Sequence, residues 1–236
     1  MKKIGITFLV LFQLINGSKL SAHTEFSYFA GGHFATGPKF SHFIEVVHTS
    51  QWKYGDNLFY FDITSPYHDQ TSVYSEIDPR LSLSKMTETK VQYGFIEDVL
   101  IAAKFEAEEN MRAYNFGIGF NLVVPQFRFL ILNLYWRHNP VLKGSTFQEA
   151  LSWGLPFSTG KFDWNFAGFA VYTGPLASKM NWFVFRPKLV FDIGKLLKIG
   201  EKSLYAGLQY VYWYNKLGIK GRKESALTWI VTWDID

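Results

Sequence analysis

The chain has 236 residues, 48% of them hydrophobic and 19% aromatic, carries a formal charge of +4 and contains no cysteine. The length allows one large domain or two small ones. The missing cysteine excludes disulfides, thiol nucleophiles and Cys-ligated metals.

Residues 1–22 read as a secretory leader. Lys2 and Lys3 start it, the apolar run Ile4–Ile15 follows, and NGSKLSA ends in Ala22. The apolar run is too short to cross a bilayer as a helix, which points to cleavage near Ala22. Removing Lys2, Lys3 and Lys19 takes the formal charge from +4 to +1, so the basic precursor gives no argument for nucleic-acid binding. A nearly neutral exported chain without cysteine suits the periplasm or outer membrane of a Gram-negative bacterium. Residues 23–236 are then one domain.

No later run reaches the roughly 18 apolar residues of a transmembrane helix. The recurring signal has a period of two, which is the mark of a strand. In PRLSLSK, Leu81 and Leu83 oppose Arg80, Ser82 and Ser84. In NFGIGFNL, Phe116, Ile118, Phe120 and Leu122 oppose Asn115, Gly117, Gly119 and Asn121. FLILNLYWR sets Leu130, Leu132, Leu134 and Trp136 against Ile131, Asn133, Tyr135 and Arg137. WFVFRPKLVFD sets Phe183, Phe185, Pro187, Leu189 and Phe191 against Arg186, Lys188 and Asp192. KLLKIG (Lys195–Gly200) suits one helical turn. At the C-terminus Leu227, Trp229, Val231, Trp233 and Ile235 share one face, and Thr228, Ile230, Thr232 and Asp234 the other.

Twelve strands are expected, near 25–35, 41–52, 57–64, 74–86, 98–108, 111–124, 127–138, 147–156, 161–172, 181–192, 203–214 and 224–235. An even number of strands about 9–11 residues long is what a membrane barrel requires. The fold class is therefore all-β, a transmembrane antiparallel up-and-down β-barrel. The links KYGDN, VPQF and PFSTGK are tight and share one side by parity, the periplasmic one. SPYHDQTSV, HNPVLKGST and YTGPLASK are longer and fall on the outer side. TETKVQYGFIED and EEN depart from this pattern.

Alternation alone also suits a secreted sandwich, whose apolar faces turn inward. Three features favour the membrane. Trp52, Trp136, Trp153, Trp213, Trp229 and Trp233 fall on the apolar face near strand ends, as interfacial girdles do. The polar face carries charges at strand centres. The leader is the third. In NLFYFDIT the outward set is Phe59, Phe61 and Ile63, and the set facing the pore is Leu58, Tyr60 and Asp62. A carboxylate is costly against lipid and can be hydrated or paired inside.

With the apolar set outward, Arg80, Lys104, Arg137, Arg186 and Lys188 collect inside with Glu45, Asp62, Glu106, Asp163 and Asp192. The expected lumen is polar and balanced in charge, whereas a pore for one sign of ion is biased. Tyr60, Tyr135, Asn115, Asn121, Asn133 and Gln209 add hydrogen-bonding groups and flat rings, which suits a small neutral polar solute. Arg80 and Arg137 are the favoured solute contacts, because guanidinium groups stack on rings and donate in a fixed fork. The same charges can instead pair with each other, giving a structural or receptor barrel with a closed, salt-bridged lumen.

No enzyme is indicated. The six histidines form no close metal pair, and neither GxSxG nor a glycine-rich phosphate loop is present, so no metal, cofactor or catalytic residue is assigned. A barrel lipase would need a serine and a histidine on the outer face of neighbouring strands. His48 faces outward without an evident serine. A basic patch interleaved with aromatics, as for nucleic acid, is absent.

FIEVVHTSQWKYGDNLFYFDIT, PRLSLSK, EDVLIAAKFE, FGIGFNLVVPQFRFLILNLYWRHN and WGLPF, in this order and spacing, resemble the Tsx/OmpK family of outer-membrane proteins. The resemblance runs from about Phe26 to Trp233. It implies a monomeric twelve-stranded barrel in outer-membrane lipid with a narrow polar pore. The family includes nucleoside-specific channels, and some members serve as phage receptors. Aromatic and ionisable lumen residues are then implied to bind base and sugar. HFATGP resembles the end of the family's first strand, where an aromatic stands before Gly-Pro. Here Thr36 directly precedes Gly37-Pro38, and Phe34, two residues earlier, takes the ring-stacking role by resemblance. The chain continues past Trp233 with Asp234-Ile235-Asp236, where outer-membrane barrels usually end on an aromatic.

Overall fold

Side chains that alternate apolar and polar cannot bury both faces of a strand in one solvent, so the sheet must separate two environments. In a computed structural model of the chain, which describes residues 21–35, 39–65, 71–109 and 111–235, it does so by closing on itself. The expected leader lies outside the described residues, apart from Ser21 and Ala22. The strands are β1 (Ala22–Gly32), β2 (Phe40–Trp52), β3 (Gly55–Thr64), β4 (Ser72–Ser82), β5 (Ile96–Glu108), β6 (Met111–Leu122), β7 (Phe129–Asn139), β8 (Gly144–Thr159), β9 (Phe162–Thr173), β10 (Trp182–Asp192), β11 (Leu204–Tyr214) and β12 (Glu224–Ile235). Each pairs antiparallel with its sequence neighbours, and β1 pairs with β12 from Thr24↔Ile235 to Gly32↔Leu227. Closure leaves no sheet edge, so every wall strand has a ladder on both sides, as a hydrocarbon surround demands.

The wall is inside out relative to a soluble protein. Along β12, Trp229 is 72% and Trp233 59% exposed, while their inward neighbours Thr228 and Ile230 are 1% exposed. Trp136 on β7 is likewise 64% exposed beside Arg137 at 6%. The outer band thus presents apolar side chains and the lumen collects the polar ones. Trp213 corrects the expected girdle. It pairs with Val184 on the inward row and packs against Trp182, ring centres 5.3 Å apart, inside the far mouth. Trp153 does face outward but is only 6% exposed, because it stacks on Phe185 and Phe166 over the bare backbone of Gly168.

The terminal end, where β1 starts and β12 stops, has tight turns at Lys53–Tyr54 and Gly160–Lys161, the latter with Gly160 at φ 60°. The long TETKVQYGFIED link on this side holds helix α1 (Leu83–Thr87) and an antiparallel bridge between Tyr93 and Ile96. β4 therefore stops at Ser82, short of the expected 86. The Ser82 hydroxyl accepts the Lys85 N–H at 3.0 Å and starts the helix instead, taking Leu83 and Ser84 out of the alternation. The helical turn expected in KLLKIG is present as α2 (Ile193–Leu197). The longest links, between β4 and β5 and between β10 and β11, therefore lie on the side expected to carry short turns, and the far end includes a 3-10 turn at Lys216–Gly218.

Candidate functional site

The lumen is the site, and its side chains follow from strand parity. At mid-height Arg186 of β10 reaches β2 and β3, on the far side of the barrel. Its guanidinium donates to the Tyr60 hydroxyl at 3.0 Å, to Glu45 Oε2 at 3.2 Å and to Gln209 Oε1 at 3.1 Å. Asp62 lies 3.8 Å away, and the Tyr60 hydroxyl donates onward to Glu45 at 2.7 Å. Phe169, also inward, lies under the guanidinium at 5.3 Å. Four of the expected lumen residues, Glu45, Tyr60, Asp62 and Arg186, thus form one cluster. Phe169 was missed, although it follows from parity with Asp163 on the same strand.

A second cluster lies across β4, β5 and β7. Lys104 sits 3.2 Å from Glu76 and 3.3 Å from Asp78, and its ammonium lies 6.0 Å from the Tyr135 ring centre. Arg137 pairs with Glu106 and donates to Gln148 at 2.8 Å. Nearer the terminal end, Arg80 grips Asp56 with both arms, at 2.7 and 2.8 Å, with Asn133 beside it at 3.5 Å. Lys188 holds Glu25 at 2.5 Å, beside Asn165, Tyr205 and Asp234. Arg80 and Arg137, expected to meet solute, are therefore bound by protein carboxylates.

Three expected positions lie at the edges of the lumen. Asp192 caps α2, accepting the backbone N–H of Lys195 at 2.9 Å and of Lys202 at 2.7 Å. Asp163 bonds Ser158 and Lys195 at the rim. That contact holds the solvent-exposed Lys195 ammonium above the usual lysine range. Both acids anchor α2 to the wall. Phe34 sits at the far mouth, edge-on to the inward Phe43 with ring centres 5.2 Å apart. Beside it, the Ala35 N–H donates to Glu224, which also pairs with Lys216 at 2.6 Å. Burial pushes the Lys216 ammonium below its ordinary range.

The expected charge balance does not hold. Eight inward carboxylates (Glu25, Glu45, Asp56, Asp62, Glu76, Asp78, Glu106 and Asp234), of which Asp56 and Asp234 lie close to the terminal rim, share the lumen with five cations (Arg80, Lys104, Arg137, Arg186 and Lys188). Counting back by twos from Arg80 gives Asp78, Glu76 and Tyr74, so the extra acids of β4 were there to be read. An apolar group, Phe29, Val190 and Ile230, fills the β1–β12–β10 side and was not foreseen.

On the outer face His48 bonds Thr24, not a serine. His138 and Ser145 make a Ser–His contact between outer-face strands at 3.1 Å, and among the described residues no carboxylate pairs with His138 to orient its ring.

A closed twelve-stranded wall, apolar outside and ionic inside, defines an outer-membrane β-barrel. Similarity to solved structures agrees with this fold. A structure described as KdgM porin superposes with a TM-score of 0.53 at 8% identity, over 91% of this chain and 99% of that one. "KdgM porin in complex with disordered oligogalacturonate" gives 0.51 at 9% identity, over 90% and 99%. The outer membrane protein Omp33 of Acinetobacter baumannii gives 0.46 at 8%, over 90% and 98%. No family model matches the sequence, and no curated protein does.

Proposed function

We propose that this barrel is an outer-membrane channel for passive diffusion of small polar solutes, without enzymatic activity, and that nucleoside-like molecules are the solute class it takes. One observation carries the reading. The Tyr135 hydroxyl and the side-chain oxygens Asp78 Oδ1, Asn121 Oδ1, Asn165 Oδ1 and Thr173 Oγ1 face the lumen, are buried, and have no protein hydrogen-bond partner. Such groups are costly in a dry core and cost little where water or a polar solute meets them. Tyr60, Tyr135 and Phe169 add ring faces, and the resemblance to the Tsx/OmpK family supports the nucleoside choice. The oligogalacturonate named with one KdgM structure is a polyanion, and the acid excess here disfavours that class.

Planar-bilayer recording with and without adenosine tests the claim, together with liposome swelling. Adenosine is expected to reduce the current and to enter liposomes faster than sucrose. Equal entry with no block would remove the nucleoside assignment.

A second reading is a structural or receptor barrel with a closed lumen. It is favoured by the pairing of all five lumen cations with carboxylates. Purified protein that passes no ion current would establish it. A phospholipase assay in which wild type and Ser145→Ala are equally inactive is expected, since His138 has no orienting acid.

A further inference from the structure

We propose that Arg186 is a crossbar that divides the lumen, and that the passage it obstructs is selective for cations once it is removed. This rests on the channel reading and specifies which residue limits the pore and which charge of solute the lumen prefers.

The strand order makes β2 and β3 four and five strands away from β10 around the wall. A side chain from β10 that touches both must span the interior. Arg186 does so through Glu45 and Tyr60, and a third bond to Gln209 steadies it from the adjacent strand β11. The other lumen cations reach less far around the wall, Lys188 spanning three strands to Glu25 on β1. Lys104 and Arg80 pair with acids on the next strand, and Arg137 with Glu106 two strands away. Of these pairs the Arg186 contact spans the most strands, at mid-height of the barrel.

The crossbar is also removable. The Arg186 and Asp62 side chains keep 14% and 12% of their surface exposed, so the span is reached by solvent. Its bonds run from side chain to side chain and leave the backbone ladders of β2, β3 and β10 intact. Taking the guanidinium away leaves Glu45 and Asp62 facing an opened passage, in a lumen that already has more acids than bases. Rings of carboxylates favour cations in a narrow pore.

The test is planar-bilayer recording of wild type, Arg186→Ala and Arg186→Lys, with reversal potentials in a KCl gradient. Heat-modifiable migration on gels confirms that each barrel is folded. Arg186→Lys controls for loss of fold, because it keeps the charge and shortens the reach. Arg186→Ala is expected to conduct severalfold more than wild type and to shift the reversal potential toward the K⁺ value, with Arg186→Lys in between. A folded Arg186→Ala barrel with wild-type conductance overturns the crossbar and leaves the channel reading standing. A silent wild type with a conducting Arg186→Ala supports the crossbar and removes the channel reading from the native protein. A larger current that prefers Cl⁻ overturns the cation preference. Silence in all three overturns both.

Discussion

Tyr135 shows how a single atom separates solute binding from stability. The residue is 3% exposed, yet its hydroxyl has no protein partner among the described residues. Tyr135→Phe therefore removes no hydrogen bond of the fold. The unfolding midpoint in urea should stay within about 0.5 kcal/mol of wild type, because the usual cost of a lost bond does not arise. Block of the current by adenosine should weaken, and unchanged block would release Tyr135 from solute contact. Gly168 is the opposite case. Its φ is +155°, and a Cβ there would lie 2.8 Å from Pro187 Cα and 3.0 Å from the Trp153 ring. The backbone is bare so that β10 and the indole can approach. Gly168→Ala should lower stability by about 1–3 kcal/mol, as overpacking does. Denaturant titration of the lipid-embedded barrel reads this directly.

At the scale of elements, the two short helices explain the departures from a plain up-and-down meander. Each follows a strand whose last polar side chain turns back to cap it, Ser82 for α1 and Asp192 for α2. Five residues cannot sustain a helix by propensity. The caps and the Asp163–Lys195 contact hold α2 against the rim. Asp192→Ala should cost about 0.5–2 kcal/mol locally, the usual price of an N-cap. Hydrogen exchange should speed up across residues 193–203 while the strand amides stay protected. Protection unchanged in that segment would assign its order to the chain's own turn geometry. The expectation that Asp163 and Asp192 line the pore came from parity, which marks the inward face but carries no depth. Both stand at strand ends, where an inward side chain meets the rim.

Across the whole molecule, one alternation serves two solvents. Ile118 sits mid-strand on β6 and is 50% exposed on the outer wall, with Gly117 and Gly119 beside it on the lumen face. Ile118→Arg should destabilise the barrel in lipid by about 2–4 kcal/mol, the depth-dependent cost of a cation at the midplane. The measurement is a urea titration in vesicles. No change would mean that this wall does not face hydrocarbon. The inward charges Arg80, Lys104 and Arg137 occupy equivalent depths at no such cost, because each has a carboxylate within its cluster.

The period-two pattern by itself determined most strand positions and the facing of Phe59, Phe61 and Ile63 against Tyr60 and Asp62, and the leader, the tryptophans near strand ends and the mid-strand charges turned that pattern into the barrel class. Facing is a local property, since successive side chains of any extended strand point to opposite sides. Which inward charge meets which could not be read this way. Glu45 and Arg186 are 141 positions apart, and they meet only because closure brings β10 opposite β2. Strand tilt and stagger set that meeting, and both belong to the closed sheet as a whole. The rim positions of Asp163 and Asp192, the inward turn of Trp213 and the pairing of every lumen arginine were decided at the same level, by the depth and stagger that only the completed barrel defines.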